Sequence, residues 1–145
     1  MNVLVVDAET ARRGVISDAL AAHVDDYRLF EAASLEEMRG SLRLCEFRMI
    51  IIGSVNSGAL PEALAELRQR LPDCALLAGT RISPAAGEVA TRLLDSGADM
   101  VFDLRLSGMA LSKALRPYLR SWSKDFRTRL GSTTLSQAPP ALSLL

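Results

Sequence analysis

Short apolar runs alternate along the chain with segments in which apolar residues recur every three or four positions. The runs predict five strands and the periodic segments predict five helices. Asn2–Val6 is apolar almost throughout, which is typical of a strand buried on both faces of a parallel sheet. The predicted strands are Asn2–Val6, Tyr27–Ala32, Arg48–Ile52, Cys74–Ala78 and Met100–Asp103.

The helical segments carry start and stop signals as well as apolar stripes. Ser34 and Glu37 form a capping box at the start of the second helix. Ser83-Pro84 supplies an N-cap and a first residue for the fourth helix, and Gly97 ends it. Pro117 lies inside the fifth stripe and predicts a kink or a restart. The stripes of the first, second, third and fifth helices are Ala11, Val15, Ala19 and Ala22; Leu35, Met38 and Leu42; Leu60, Ala63, Leu64, Leu67 and Leu71; and Leu111, Leu115, Tyr118, Leu119 and Trp122.

This alternation predicts an α/β fold, a three-layer sandwich around a five-stranded parallel sheet. The flavodoxin-like strand order 2-1-3-4-5 is a common arrangement for five such units, and its ligands bind beyond the carboxyl ends of the strands. The folded domain is expected to span residues 1–121. Residues 122–145 begin with basic side chains and are then rich in Ser, Thr, Pro and Leu, which predicts a flexible tail or linker.

Composition excludes several classes of protein. The 17 basic and 17 acidic residues balance, so the overall charge favours neither an anionic nor a cationic partner. No run approaches the roughly 20 apolar residues that span a bilayer, and the first residues lack the features of a secretory signal. We therefore expect a cytoplasmic protein in which Cys45 and Cys74 are separate free thiols. His23 has no accompanying ligands and is expected at a helix end or on the surface.

Five stretches in order carry a resemblance: Val3–Asp7, Glu31–Ser34, Met49–Ile52, Pro72–Ala78 and Leu94–Asp99. With these stretches, residues 1–121 resemble a CheY-like response-regulator receiver domain. The resemblance implies a magnesium ion held by acidic residues after strand one, and an aspartate ending strand three that takes a phosphoryl group from a histidine kinase. It also implies a Thr or Ser after strand four and a Lys after strand five, both contacting the phosphate.

The residues that such chemistry needs are mostly missing. The chain has no acidic residue between Met49 and Leu60, so no shift of register places an aspartate at the end of strand three. A phosphoryl acceptor requires a nucleophilic side chain, and glycine has none. The matched positions are Asp7 for the first acidic residue, Ala8 with Glu9 next to it for the second, Gly53 for the phosphoacceptor, Gly79 with Thr80 adjacent for the hydroxyl, Leu104 for the lysine and Val101 for the aromatic switch.

Binding of a metal or cofactor has little support in the sequence. Asp7 and Glu9 are weak candidates for magnesium, and their simpler role is to complement the dipole at a helix start. Gly53 and Gly79 could mark a pocket, but no G-x-G-x-x-G follows the first strand and no Walker A sequence occurs. We therefore expect no bound metal or cofactor.

The leading hypothesis is a non-enzymatic pseudo-receiver that binds another protein, or itself, without phosphorylation. In receivers the usual contact face is formed by helix four, strand five and helix five. One alternative is the receiver portion of a helix-turn-helix DNA-binding regulator, and another is a small flavodoxin-like cofactor-binding protein. The face would include Arg92, Asp95, Val101, Asp103, Arg105 and Lys113.

A basic run spans the last helix and the tail, and Asp125 alone opposes it. Such a run could contact nucleic acid or an acidic partner, although no nucleic-acid motif accompanies it. A solvated helix face is the simpler interpretation. The basic residues are Lys113, Arg116, Arg120, Lys124, Arg127 and Arg129.

Overall fold

The computed structural model describes the backbone of residues 1–81 and 87–142, and the side chains up to residue 125 apart from that of Ser57. Within this part, five parallel strands form one sheet in the order β2-β1-β3-β4-β5, which confirms the predicted topology. The strands are β1 (Asn2–Val6), β2 (Arg28–Ala32), β3 (Met49–Ile52), β4 (Ala75–Thr80) and β5 (Met100–Asp103).

Helices connect consecutive strands, as crossover connections between parallel strands require. A 3₁₀ turn at Ser57–Ala59 precedes the third helix. Ser34 caps the second helix as predicted, because its hydroxyl accepts from the Glu37 N–H at 3.1 Å. The Glu37 carboxylate reaches back to the Ala33 N–H at 3.2 Å, one residue earlier than in the standard box. The helices are α1 (Thr10–His23), α2 (Leu35–Leu42), α3 (Leu60–Arg70), α4 (Glu88–Ser96) and α5 (Gly108–Leu142).

The sheet separates two apolar cores. Side chains alternate between its faces, so Leu4 and Val6 of β1 pack with α2, α3 and α4, while Val3 and Val5 pack with α1 and α5. All four of these side chains are fully buried. Burial on both faces is the physical reason that the central strands have continuous apolar sequences.

The apolar stripe predicted for α1 is partly wrong, because two of its four residues do not face the core. Ala11 and Ala22 are exposed, whereas Ile16 and Leu20 are fully buried beside Ala19. Burying Ile or Leu removes more apolar surface from water than burying Ala does, so the larger side chains determine the rotation of the helix.

Two boundaries differ from the sequence interpretation. Strand β4 continues to Thr80 because Gly79 pairs with Phe102 and Thr80 pairs with Asp103 on β5. Helix α4 is described from Glu88, and the predicted cap at Ser83-Pro84 lies outside the described residues.

The last helix extends into the segment expected to be a flexible tail. Its backbone is helical from Gly108 to Leu142 and continues through Pro117, where a kink or a restart was predicted. Trp122 and Ser123 are buried, so the contact of α5 with the domain extends past the predicted boundary at residue 121. The role of residues 122–145 as a linker stays a prediction.

Candidate functional site

Asp7 lies directly after β1, at the carboxyl edge of the sheet, and is completely buried. Its Oδ1 accepts from the Glu9 N–H at 2.7 Å, and its Oδ2 accepts from the Ser54 N–H at 2.9 Å. Buried carboxylates are stable only when their oxygens are hydrogen-bonded or paired with a cation. The two amides therefore fix this carboxylate between the loops that follow β1 and β3.

Gly53 follows β3 and lies against the same carboxylate. A Cβ atom placed on Gly53 would lie 2.0 Å from Asp7 Oδ2, closer than any non-bonded contact permits. The Asp7 side chain thus fills the space into which a side chain at position 53 would project. Glycine leaves position 53 without a nucleophile and also makes room for Asp7.

Arg12 supplies the positive charge beside this carboxylate. Its Nη1 lies 3.3 Å from Asp7 Oδ2 and 2.5 Å from Glu9 Oε2, and its side chain is only 13% exposed. Arg13 braces the same turn, because its Nη1 donates to the Asp7 carbonyl oxygen at 2.5 Å and its Nε donates to Glu31 Oε1 at 2.9 Å. Sequence reasoning missed both arginines, although the Glu9–Arg12 spacing of i,i+3 favours an ion pair on a helix.

The residues present do not fit the magnesium site that the resemblance implies. The Asp7 and Glu9 carboxylates are already paired with the Arg12 guanidinium, and a divalent ion would have to displace it. Ala8 and Gly53 offer no side-chain oxygen, whereas magnesium requires a near-octahedral set of oxygen ligands. No cluster of three metal-ligating side chains occurs within the part of the chain that is described.

Gly79 and Leu104 form a second complementary pair at the end of β4. A Cβ atom on Gly79 would lie 2.6 Å from Leu104 Cδ2, and the Leu104 residue is only 5% exposed. The leucine at the position matched to the family's lysine therefore covers the glycine at the hydroxyl position. Thr80, the adjacent hydroxyl residue, is buried at the strand end.

Asp103 forms an ion pair with Arg105, two positions further along the chain. Its Oδ1 and Oδ2 both accept from the Arg105 guanidinium, at 3.0 and 2.7 Å for the shortest bond to each oxygen. These hydrogen bonds lower the pKa of Asp103 below its usual value. The pair closes the turn between β5 and α5.

Strand β5 buries an aromatic residue, but not at the position expected for a switch. Val101 is half-buried, whereas Phe102 is 2% exposed and packs in the core beneath α1 and α5. The Phe102 ring is therefore part of the core. Residue 101 is a valine and has no aromatic ring that could move between inward and outward positions.

No protein-family model matches the sequence. No curated protein matches it either. Solved structures do match over most of the chain. An atypical orphan response regulator, described as having a phosphorylation-independent regulatory mechanism, is 14% identical with a TM-score of 0.69, and the match covers 86% of this chain and 96% of that one.

A CheY-like receiver-domain protein from Methanospirillum hungatei JF-1 is 18% identical with a TM-score of 0.63, covering 86% of this chain and 97% of that one. A LuxR-family DNA-binding response regulator from Silicibacter pomeroyi is 18% identical with a TM-score of 0.64, covering 83% and 93%. The chain has the receiver fold. The candidate site lies at the carboxyl edge of the sheet, which we call the acidic edge. There Asp7 is paired with Arg12, and position 53 has no side chain.

The edge strand of the receiver fold carries the predicted contact face. Strand β5 ends the sheet, with α4 packed on one of its faces and α5 on the other. Of the predicted face residues, Arg92, Asp95, Arg105 and Lys113 are exposed, and Val101 and Asp103 are half-buried. The prediction missed two apolar side chains on these helices: Leu94 is 46% exposed and Met109 is 76% exposed.

The remaining candidates lie away from the acidic edge. Both cysteines are free; Cys74 is buried in the α2–α4 core, and burial raises the pKa of its thiol to about 12. His23 ends α1 and lines a shallow depression with Arg120 and Lys124. No helix among the described residues is long and apolar enough to cross a membrane.

Proposed function

We propose that this protein is a phosphorylation-independent, cytoplasmic signalling module that works by binding a protein partner or a second copy of itself. The observation that carries the proposal is the position of the Asp7 carboxylate in the space beside Gly53. Phosphoryl transfer to a receiver needs a nucleophilic carboxylate and cations that stabilise the transferring group. Here the carboxylate is bonded to two amides and Arg12.

The changes at the site compensate one another, which supports a stable role for it without phosphate. The guanidinium of Arg12 takes the charge-neutralising role of a metal ion, and Leu104 replaces a cation with apolar packing over Gly79. The buried Asp7 carboxylate and the buried Leu104 side chain each have suitable neighbours, so neither needs a ligand to be satisfied.

Incubation with acetyl phosphate and magnesium, read by intact mass, tests the proposal. We expect no increment of one phosphoryl group, because no free carboxylate faces the site. A receiver domain that retains its acceptor aspartate serves as the positive control. A stoichiometric adduct that maps to the loops after β1 and β3 would refute the proposal.

The surface on α4, β5 and α5 is proposed as the contact face. It combines exposed charges with the apolar side chains of Leu94 and Met109, a composition suited to an interface with an apolar centre and a polar rim.

Light scattering over a range of protein concentrations tests whether this face forms a dimer. We expect Leu94→Asp and Met109→Asp to weaken self-association, whereas Leu44→Asp, at a residue 84% exposed in the turn after α2, leaves it unchanged. A strict monomer at the highest concentration rejects the dimer form.

A second candidate is the receiver portion of a DNA-binding regulator. The similarity to a LuxR-family DNA-binding response regulator favours it, as does the extension of α5 beyond the sheet. The coding sequence after Leu145 tests this candidate: a helix-turn-helix domain there supports it, and a stop codon rejects it.

A further inference from the structure

A cavity of about 320 Å³ opens beyond the carboxyl ends of β3 and β4, between the start of α3 and α4. Ligands of open α/β sheets bind at this edge, and the volume lies at the lower end of the range for small-molecule sites. The cavity is separate from the Asp7 carboxylate, which is not among its described lining residues. It shares Gly53, Gly79 and Leu104 with the edge described above, but the function proposed there assigns it no ligand.

The walls of the cavity are mostly apolar. Leu60 from the start of α3, Leu93 from α4 and Leu104 from the turn after β5 are almost fully buried, and Val89 is half-buried. At about 30 Å³ for each water-sized group, the cavity has room for roughly ten of them. A small ring or a short branched chain would fill it and remove apolar surface from water.

Two arginines give the cavity a positive charge. Arg81 and Arg92 line it and are exposed, and no aspartate or glutamate is among its described lining residues. Neither guanidinium forms an ion pair with a described residue, and Arg81 Nη2 donates a long hydrogen bond to Ser54 Oγ at 3.4 Å. Guanidinium groups bind carboxylates with paired, charge-assisted hydrogen bonds, so an anionic head group would find its partners here.

We infer that this cavity binds a small organic carboxylate with an aryl or branched alkyl body. The body lies against Leu60, Val89 and Leu93, and the carboxylate pairs with Arg81 and Arg92. The inference does not depend on the proposed absence of phosphorylation. Acetyl phosphate reports on the Asp7 edge by mass, and ligand binding reports on the cavity, so either result can fail alone.

Titration of the ¹⁵N-labelled full chain with 4-phenylbutyrate, followed by ¹H–¹⁵N correlation spectra, tests the inference. We expect shifts at the amides of Gly53, Gly58 and Gly79, with a dissociation constant of about millimolar for a ligand of this size. The uncharged amide of the same compound should bind at least about fivefold more weakly. Acetate, which has the charge but no apolar body, should not saturate.

Three variants separate the charge from the shape. Arg81→Gln and Arg92→Gln should each weaken 4-phenylbutyrate severalfold and bring its affinity towards that of the amide, whereas Arg70→Gln, on α3 but outside the cavity, should not. Val89→Trp should abolish binding by filling the cavity. Shifts elsewhere on the protein, equal affinity for acid and amide, or no saturation at 20 mM, which is roughly twenty times the expected constant, would overturn the inference.

Discussion

Single residues at the carboxyl edge determine what the site can do. Gly53 and Gly79 each face a side chain that fills the space a Cβ atom would need, Asp7 in one case and Leu104 in the other. The loss of the acceptor side chain therefore does not leave an empty receiver site. A single substitution at position 53 would have to displace a carboxylate that is held by two amides.

Gly53→Ala should lower the free energy of unfolding by about 1–3 kcal/mol, because overpacking forces neighbours to move. In an Asp7→Ala background the same substitution should cost less than about 0.5 kcal/mol, since the obstructing carboxylate is gone. Urea unfolding of the four proteins measures both values. Gly14→Ala, in α1 with open space around it, is the matched control and should be stabilising by about 0.5–1 kcal/mol. Equal costs in the two backgrounds would contradict the geometry.

The two cysteines should differ sharply in reactivity. Cys74 is 4% exposed and burial raises its pKa to about 12, so its thiol should react with Ellman's reagent only after unfolding, whereas Cys45 is half-buried and should react in the folded protein. One rapid thiol per chain is the expected count.

The raised pKa of Cys74 also affects the free energy of unfolding. The protonated thiol is stabilising below pH 9, and this contribution is lost as the pH rises from about 9 towards 12. Cys74→Ala should reduce that alkaline loss.

At the scale of elements, one arginine joins the segments around β4. Arg68 on α3 donates to the carbonyl oxygens of Gly97, Pro72 and Cys74, at 2.7, 3.0 and 2.9 Å for the shortest bond to each, and forms an ion pair with Asp99 at 2.7 Å. It thus connects α3 with the turns before β4 and β5. We expect the packing of α3 against α4 to depend on this connection, and α4 carries Arg92, Leu94 and Asp95 of the proposed contact face.

Arg68→Met should destabilise the fold by about 2–3 kcal/mol, because hydrogen bonds to a charged donor at partly buried carbonyls are among the stronger ones. Arg70→Met on the same helix should change stability by less than about 0.5 kcal/mol, since Arg70 is exposed and has one weak pair with Glu66. Chemical denaturation compares the two. Similar losses for both variants would show that Arg68 does not hold these turns together.

For the whole molecule, the sheet couples two separate cores. Trp122, the single tryptophan, is buried in the core of α1 and α5, whereas Met38 lies in the core of α2, α3 and α4. Because every central strand contributes side chains to both cores, neither core can lose its packing while the sheet stays intact. Domains of this size usually unfold in one cooperative step.

Met38→Ala should therefore shift unfolding monitored by Trp122 fluorescence as much as unfolding monitored by far-ultraviolet circular dichroism. The expected cost is about 2–5 kcal/mol for a large-to-small substitution at a buried site. Leu115→Ala, in the core that contains Trp122, is the matched variant from the other face. If Met38→Ala moved the dichroism midpoint and left the fluorescence midpoint unchanged, the two cores would be independent.

The sequence determined the fold class and the absence of an acceptor at position 53, because these follow from apolar periodicity and from residue identity. The strand order was expected because it is a common arrangement for five such units. Only the tertiary structure decided what replaced the missing chemistry. Asp7 and Gly53 are 46 positions apart, and their contact exists because β1 and β3 are neighbours in the sheet. The cover of Leu104 over Gly79 and the cavity between α3 and α4 likewise depend on distances that no local pattern encodes.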